Sequence, residues 1–361
     1  MMKVAFVSYA FGEYAILLAS ALAEFAEVLL IVGEDDIESY GYAVSPKLEV
    51  VTFKRPRFRQ ALPQIKLANY LVSTIKAFDP DVIHLQQGHL WFNFALPFLR
   101  KYPLVITVHD PQHHVGDKES AKTPQFVMNM GYKMADELIV HAERLKEELI
   151  TLRQLPREQL HVIAHLAIGD ETASTEVDEE PNNILFFGRI WEYKGLDYLI
   201  KAQPLISEAI PDAKIVIAGR GEDFTRYEEM MQDKDKFVVH NRFITDEEKH
   251  VLFRQSSVVV LPYIEATVSG VIPTAYTYSK PVVATTVGGL PEMVDEGKTG
   301  YLTPPRDEKA IAEAVIKILK DPTLREQMGI NAKHKIDVEW SPHDCAEKTI
   351  DVYQSAIRRK A

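Results

Sequence analysis

Short apolar runs alternate with segments of helical periodicity almost from one end of this chain to the other. Runs such as "KVAFVS", "EVLLIV", "LEVVTF", "DVIHL", "PLVITV", "DELIVH" and "LHVIA" fill the first half, and "NILFFG", "AKIVIAG", "KFVVH", "SVVVLP" and "PVVATT" the second. Runs this short and continuously apolar read as strands buried on both faces, and the amphipathic stretches between them read as crossover helices. The pattern predicts an α/β chain with two doubly wound parallel sheets. A polar, acidic stretch without periodicity, "GDETASTEVDEEPNN", separates the halves. The predicted division is therefore a first Rossmann-like domain over 1–168, a linker over 169–183, a second domain over 184–340 and a final helix over 341–361, with a cleft between the domains. Ser341 as the cap and Pro342 at the first helical position mark the start of that last helix.

Length and composition agree with this division. The chain has 361 residues, more than one hydrophobic core usually serves, and 26% of them are charged, as in a soluble globular protein. A net charge of -11 argues against a nucleic-acid binder. A single cysteine, Cys345, excludes an internal disulfide and fits a reducing, cytoplasmic setting. The start, "MMKVAFVSYAFGEYAILLASALAE", has the basic and apolar character of a signal peptide, but Glu13 interrupts it. It reads better as a strand over 4–8 and a helix over 14–25.

Candidate chemistry sits where strands run into helices. In "FFGRIWEYKGLDYLIKA", Gly188, Arg189 and Lys194 follow a strand and precede a helix. An arginine there can grip phosphate oxygens as a fork, while a lysine adds a point charge. The competing reading is a solvated loop with its charges paired to Glu192 or Asp197. In "LPYIEATVSGVIPTAYTYSKPVVATTVGGLPEMV", an acidic residue, Glu265, precedes a Ser-Gly pair, Ser269 and Gly270, whose amides suit an anion.

These two stretches together with "VIAGRGED" have the order and spacing that resemble the retaining glycosyltransferases of family 4, which have the GT-B fold. The resemblance spans most of the carboxyl half and is fainter in the amino half. It implies that Arg189 and Lys194 hold the diphosphate of a nucleotide-sugar, Glu265 the donor sugar, and Gly188, Ser269 and Gly270 the phosphate cradle. It also implies that Gly219, Gly221 and the Asn241, Arg242 and Phe243 run lie beside the nucleoside. In the amino half it gives His109 and Asp110 of "PLVITVHDP" a place facing the donor sugar, and Gly12 of the first loop a place near acceptor or phosphate. The implied reaction is hexosyl transfer with retention to a hydroxyl acceptor such as a lipid or cell-surface glycan precursor, by same-face attack. No metal or cofactor is implied. UDP-sugars are favoured over GDP-mannose on family frequency.

The sequence departs from the family at two points. Many members carry two glutamates separated by seven residues, the second holding the ribose, but the residue eight after Glu265 is Pro273; Glu292, in "GGLPEMV", is not that partner. The first loop has only Gly12 where members often show two adjacent glycines. These departures keep open a second reading, a nucleotide-sugar-binding protein without turnover that assists a partner. A third, a metal-dependent hydrolase, comes from the cluster His109, Asp110, His113, His114 and Asp117, although no zinc spacing emerges.

Lastly, "FKRPRFRQALPQIK" interleaves Lys54, Arg55, Arg57 and Arg59 with phenylalanines, and either rests weakly on anionic lipid at the membrane's inner face or forms a solvated loop. "GHLWFNFALPFLRK" is apolar enough to read as a core helix, without a membrane role.

Overall fold

The computed structural model describes residues 1–112, 123–169 and 177–361. They form two compact units, the first from residues 1–112, 123–166 and 340–361, the second from 167–169 and 177–339.

The first unit is built on seven strands: β1 (Lys3–Ser8), β2 (Glu27–Gly33), β3 (Glu49–Phe53), β4 (Val82–Gln86), β5 (Leu104–Thr107), β6 (Glu137–Val140) and β7 (Leu160–Val162). All pair in parallel, in the order β3-β2-β1-β4-β5-β6-β7. Val4, Ala5, Phe6 and Val7 of the central strand are completely buried, as expected of a run covered on both faces. The final helix, Pro342–Lys360, lies on the helix Gly12–Leu22 of this unit. It starts with Ser341 accepting from the Asp344 amide at 3.1 Å. Its Tyr353 hydroxyl meets His84 Nδ1 at 2.6 Å beneath the sheet, and Ser355 and Arg359 donate to the buried carboxylate of Glu137 at 2.7 and 3.0 Å. The segment 341–361, read from sequence as a separate final helix, is thus part of the first core, together with Trp340, which that reading gave to the second domain.

The second unit carries β8 (Asn183–Phe187), β9 (Lys214–Ala218), β10 (Phe237–His240), β11 (Val258–Leu261), β12 (Val282–Thr285) and β13 (Gly300–Thr303), in the order β10-β9-β8-β11-β12-β13. These pairings too are parallel. The last strand, GYLT, escapes the apolar pattern because it opens with glycine, ends in threonine and has only two large apolar residues between them. The described end of the expected linker, residues 177–182, is fastened to this unit: Glu179 accepts from Lys280 Nζ at 2.8 Å and from Ser257 Oγ at 2.9 Å.

Two readings of the first half change. "GHLWFNFALPFLRK" is not one core helix but a short helix, Leu90–Asn93, and a 3-10 turn, Leu96–Leu99, interrupted near Pro97, with Phe94 and Phe98 exposed. Arg55 leaves the basic patch, because its guanidinium is bound by Asp35 and Asp36 and its Nε donates to the Tyr9 carbonyl at 3.0 Å. Among the described residues no helix is long and apolar enough to cross a membrane.

Candidate functional site

In the second sheet β8 lies between β9 and β11, so the chain leaves its carboxyl end at the point where strand order turns from one side to the other. Ligands of open parallel sheets bind at such a point, against the loops that follow the strands. Three loops meet there and are tied by backbone hydrogen bonds. The Ile190 amide donates to the Arg220 carbonyl and the Glu222 amide to Ile190, both at 3.1 Å, and the Ile264 amide donates to Tyr193 at 2.9 Å.

Two glycines allow this approach. Gly219 has φ +148°, and a Cβ added there would lie 1.9 Å from the Gly188 carbonyl oxygen; one added at Gly195, φ +64°, would lie 2.0 Å from that of Pro262. Gly219→Ala should therefore destabilise the second unit by about 2–4 kcal/mol, combining backbone strain with overpacking against a carbonyl that cannot yield. Chemical denaturation checks this, and a loss under about 0.5 kcal/mol, the range of neutral surface changes, would show that the loops have room to separate. Gly221 completes the contact through a bridge with Ile190. Farther along, the Gly288–Gly289 turn, distant from Glu265 in sequence, returns to its loop: the Gly289 amide donates to the Thr267 carbonyl at 2.7 Å.

The charged groups stand on this frame. Arg189 is exposed, and its Nη2 donates to the Tyr193 hydroxyl at 3.2 Å. Lys194 Nζ sits 3.7 Å from the centroid of the Tyr263 ring and 5.0 Å from that of Tyr193. Tyr263 is buried, burial pushes its phenol far up so that it stays protonated, and its hydroxyl meets Ser269 Oγ at 3.2 Å. An ammonium over a ring face is attracted by the ring quadrupole, so Tyr263 helps to hold Lys194 in place. Asp197, one of the carboxylates weighed as a partner for these cations, faces Arg226 at 3.7 Å. Glu265 is half-buried, its amide 3.4 Å from the Tyr193 carbonyl. Ser269 Oγ accepts from the Val271 amide at 3.3 Å, and Gly270 caps the helix Val271–Thr277. Pro273 is buried in that helix, so no carboxylate is offered there. Glu292 is exposed on the short helix Leu290–Met293.

One expected contact is differently occupied. Arg242 grips Glu248 with both guanidinium nitrogens, at 2.8 and 2.6 Å, and Glu248 closes the capping box of the helix Asp246–Gln255. Phe243 beside Arg242 is exposed.

The first unit gathers residues that sequence reasoning did not join. His109 is only 4% exposed; Phe11 stacks on its ring at 3.9 Å, Tyr14 meets its edge at 5.3 Å, and Gln86 hydrogen-bonds its Nε2. His141 lies 4.8 Å and His165 6.0 Å away, centroid to centroid. Burial holds all of them neutral: His141 falls to about 3, His165 to about 4, and His109 is pushed well below the usual imidazole range, next by its histidine neighbours. The missed residues left a signal, since His141 ends the run "DELIVH" and His165 follows "LHVIA". Asp110 is partly exposed, its carbonyl 3.3 Å from the Tyr132 hydroxyl. Gly12 opens the first helix, where a Cβ would strike the Asp36 carboxylate at 2.3 Å, so this glycine makes room for the acid that binds Arg55. His113, His114 and Asp117 lie outside the described residues. Among those described, no group of three histidine, cysteine or acidic side chains is placed to hold a metal.

Comparison with known proteins gives this arrangement a family. Residues 12–165 match the model for Glycosyltransferase Family 4, and residues 168–335 that for glycosyl transferases group 1. An uncharacterized glycosyltransferase of Methanocaldococcus jannaschii is 30% identical over 299 residues, covering 77% of this chain and 76% of that protein. This chain belongs to the family-4 glycosyltransferases. The alpha-D-kanosaminyltransferase of Streptomyces kanamyceticus is 27% identical over 273 residues, 70% of each chain. Among solved structures, the Anabaena HepE protein in complex with UDP-glucose superposes with a TM-score of 0.70 at 18% identity, covering 98% of this chain and all of that one. At that identity the likeness establishes the GT-B fold, two parallel-sheet Rossmann-like units.

Proposed function

We propose that the protein transfers a hexose from a nucleoside-diphosphate sugar, UDP-linked by preference, to a hydroxyl acceptor with retention at the anomeric carbon. The observation that carries this reading is the junction of three strand-end loops bearing Arg189 and Lys194, held by Tyr193 and Tyr263. HepE, solved with UDP-glucose, supports the choice of uridine.

The bond from the anomeric carbon to the diphosphate oxygen breaks, and negative charge grows on the departing diphosphate. Fixed cations aimed at that charge lower the barrier because they need no reorganisation as it appears. Arg189 and Lys194 supply them, with amides near Ser269 and Gly270 completing the cradle and no metal required. Glu265 positions the sugar. The acceptor oxygen attacks from the face the diphosphate leaves, and its proton passes to a phosphate oxygen, so retention needs no enzyme nucleophile. His109, held neutral by burial, serves as a hydrogen-bonding group and not as an acid.

Thermal unfolding with UDP, GDP and ADP, on the wild type and Lys194→Ala, tests the reading. A nucleotide at about 100 times its dissociation constant should stabilise the native state by roughly 2.7 kcal/mol. We expect UDP to be preferred and its effect to shrink in the variant. No response to any nucleotide would overturn the reading. Nucleotide binding without transfer to any acceptor tried would favour the partner-assisting binding protein.

A further inference from the structure

One surface of the first unit stands outside this chemistry. Between Lys54 and Phe78 the chain carries six basic residues and no aspartate or glutamate, and from Val82 to His109 it again carries none, in a protein with 52 acidic residues. The fold brings these two stretches together. The helix Ala61–Phe78 packs against both the helix Leu90–Asn93 and the turn Leu96–Leu99. Trp91 Nε1 donates to the Phe58 carbonyl at 3.1 Å, and Gln64 Nε2 to that of Pro56 at 2.9 Å, which fastens the basic loop to the same elements.

The composite surface is apolar as well as basic. Leu62, Ile65, Tyr70, Phe94 and Phe98 are 47–73% exposed. The first three fall on one side of their helix, at the spacing of a stripe, opposite the buried Leu67, Leu71 and Ile75. Arg57, Arg59, Lys66 and Arg100 are exposed among them. The carboxylates that do reach these stretches are matched: Glu34 and Asp35 with Asp36 face Lys54 and Arg55, and Asp79 faces Lys101 at 2.9 Å. Large side chains exposed around cations, on a chain otherwise rich in acid, complement a surface that is anionic outside and apolar beneath.

We propose that this face, residues 57–70 with residues 94–100, docks on an anionic lipid bilayer, the apolar side chains entering the headgroup boundary and the basic ones resting on phosphate. The proposal differs from the patch read in the sequence: Arg55 is excluded by its ion pairs, and "FNFALPFLR", which looked like core, supplies two of the insertions. It does not depend on the donor reading, since none of these residues belongs to the loops after β8, β9 and β11.

Co-sedimentation with vesicles of phosphatidylcholine, with or without phosphatidylglycerol, tests it. The whole protein should bind the anionic vesicles, bind them less at high salt, and remain unbound with phosphatidylcholine alone. Arg57→Ala with Arg59→Ala should weaken binding roughly thirtyfold, at about fivefold per basic residue near an anionic leaflet. Leu62→Ser with Phe98→Ser should weaken it at least roughly tenfold while leaving the salt dependence in place. An unchanged thermal unfolding transition in both variants shows that the first unit, which carries the substitutions, is intact; should the apolar pair fail to fold, Lys66→Ala with Arg100→Ala replaces it, with the expectation of the arginine pair. Failure of the wild type to bind anionic vesicles, or binding indifferent to every pair, overturns the proposal. So does concentration-dependent self-association that the same substitutions abolish in the absence of lipid, which would make the face an interface between copies.

Discussion

Turnover should fall by about 10²–10³ when Arg189 or Lys194 is replaced by alanine, the scale set by removing one preorganised donor from a developing negative charge. The loss should appear in kcat more than in KM, because the charge on the leaving diphosphate is larger in the transition state than in the bound donor. It should leave the fold in place, because Arg189 is exposed and Lys194 is only half-buried, on a loop and a short 3-10 turn outside the buried core. Replacing both residues should cost less than the product of the single effects, since they act on the same group. Steady-state kinetics with a donor and a competent acceptor check this. Turnover unchanged in both single variants would remove these cations from the mechanism.

Stability should drop steeply as pH falls below about 6.5, and the loss should begin in the first unit. His84, His109, His141 and His165 are buried there and held neutral, His84 and His141 at about 3 and His165 at about 4, in each case chiefly by desolvation. Above the unfolded value near 6.5 neither state binds these protons, and the histidines leave stability unchanged with pH. Below it the unfolded chain takes protons that the folded unit refuses, so stability falls with pH until the folded values are reached. At pH 5 each such histidine costs on the order of 2 kcal/mol. Several together rival the entire stability of an ordinary domain. Denaturant unfolding at a series of pH values, followed by tryptophan fluorescence, reads the slope. A flat profile between pH 6.5 and 4.5 would mean that the imidazoles find water or charge partners when protonated.

The parallel sheets were legible because buried strands leave continuous apolar runs, and the loops after β8 and β11 because glycine, cations and an acid must follow a strand at close spacing. What stayed hidden depends on contacts far apart in sequence. Nothing around Tyr353 announces that its hydroxyl meets His84, 269 residues away. Tyr263 looks like strand-end core until Lys194 is seen above it. Nothing around Arg242 announces that Glu248, which closes the cap of the next helix, holds both its Nη nitrogens. In "FNFALPFLR" composition suggested burial, whereas Pro97 breaks the helix and exposes two phenylalanines.

The return of the helix Pro342–Lys360 to the first sheet also sets an order of assembly. The described residues of the second unit all lie between 167 and 339, so during synthesis from the amino end they emerge before that helix does. The first unit, although made first, must meanwhile hold His84 and the carboxylate of Glu137 without Tyr353, Ser355 and Arg359. The half of the protein that begins to fold earliest is therefore the last to be completed, and it is the half that a nascent-chain chaperone would have reason to shelter.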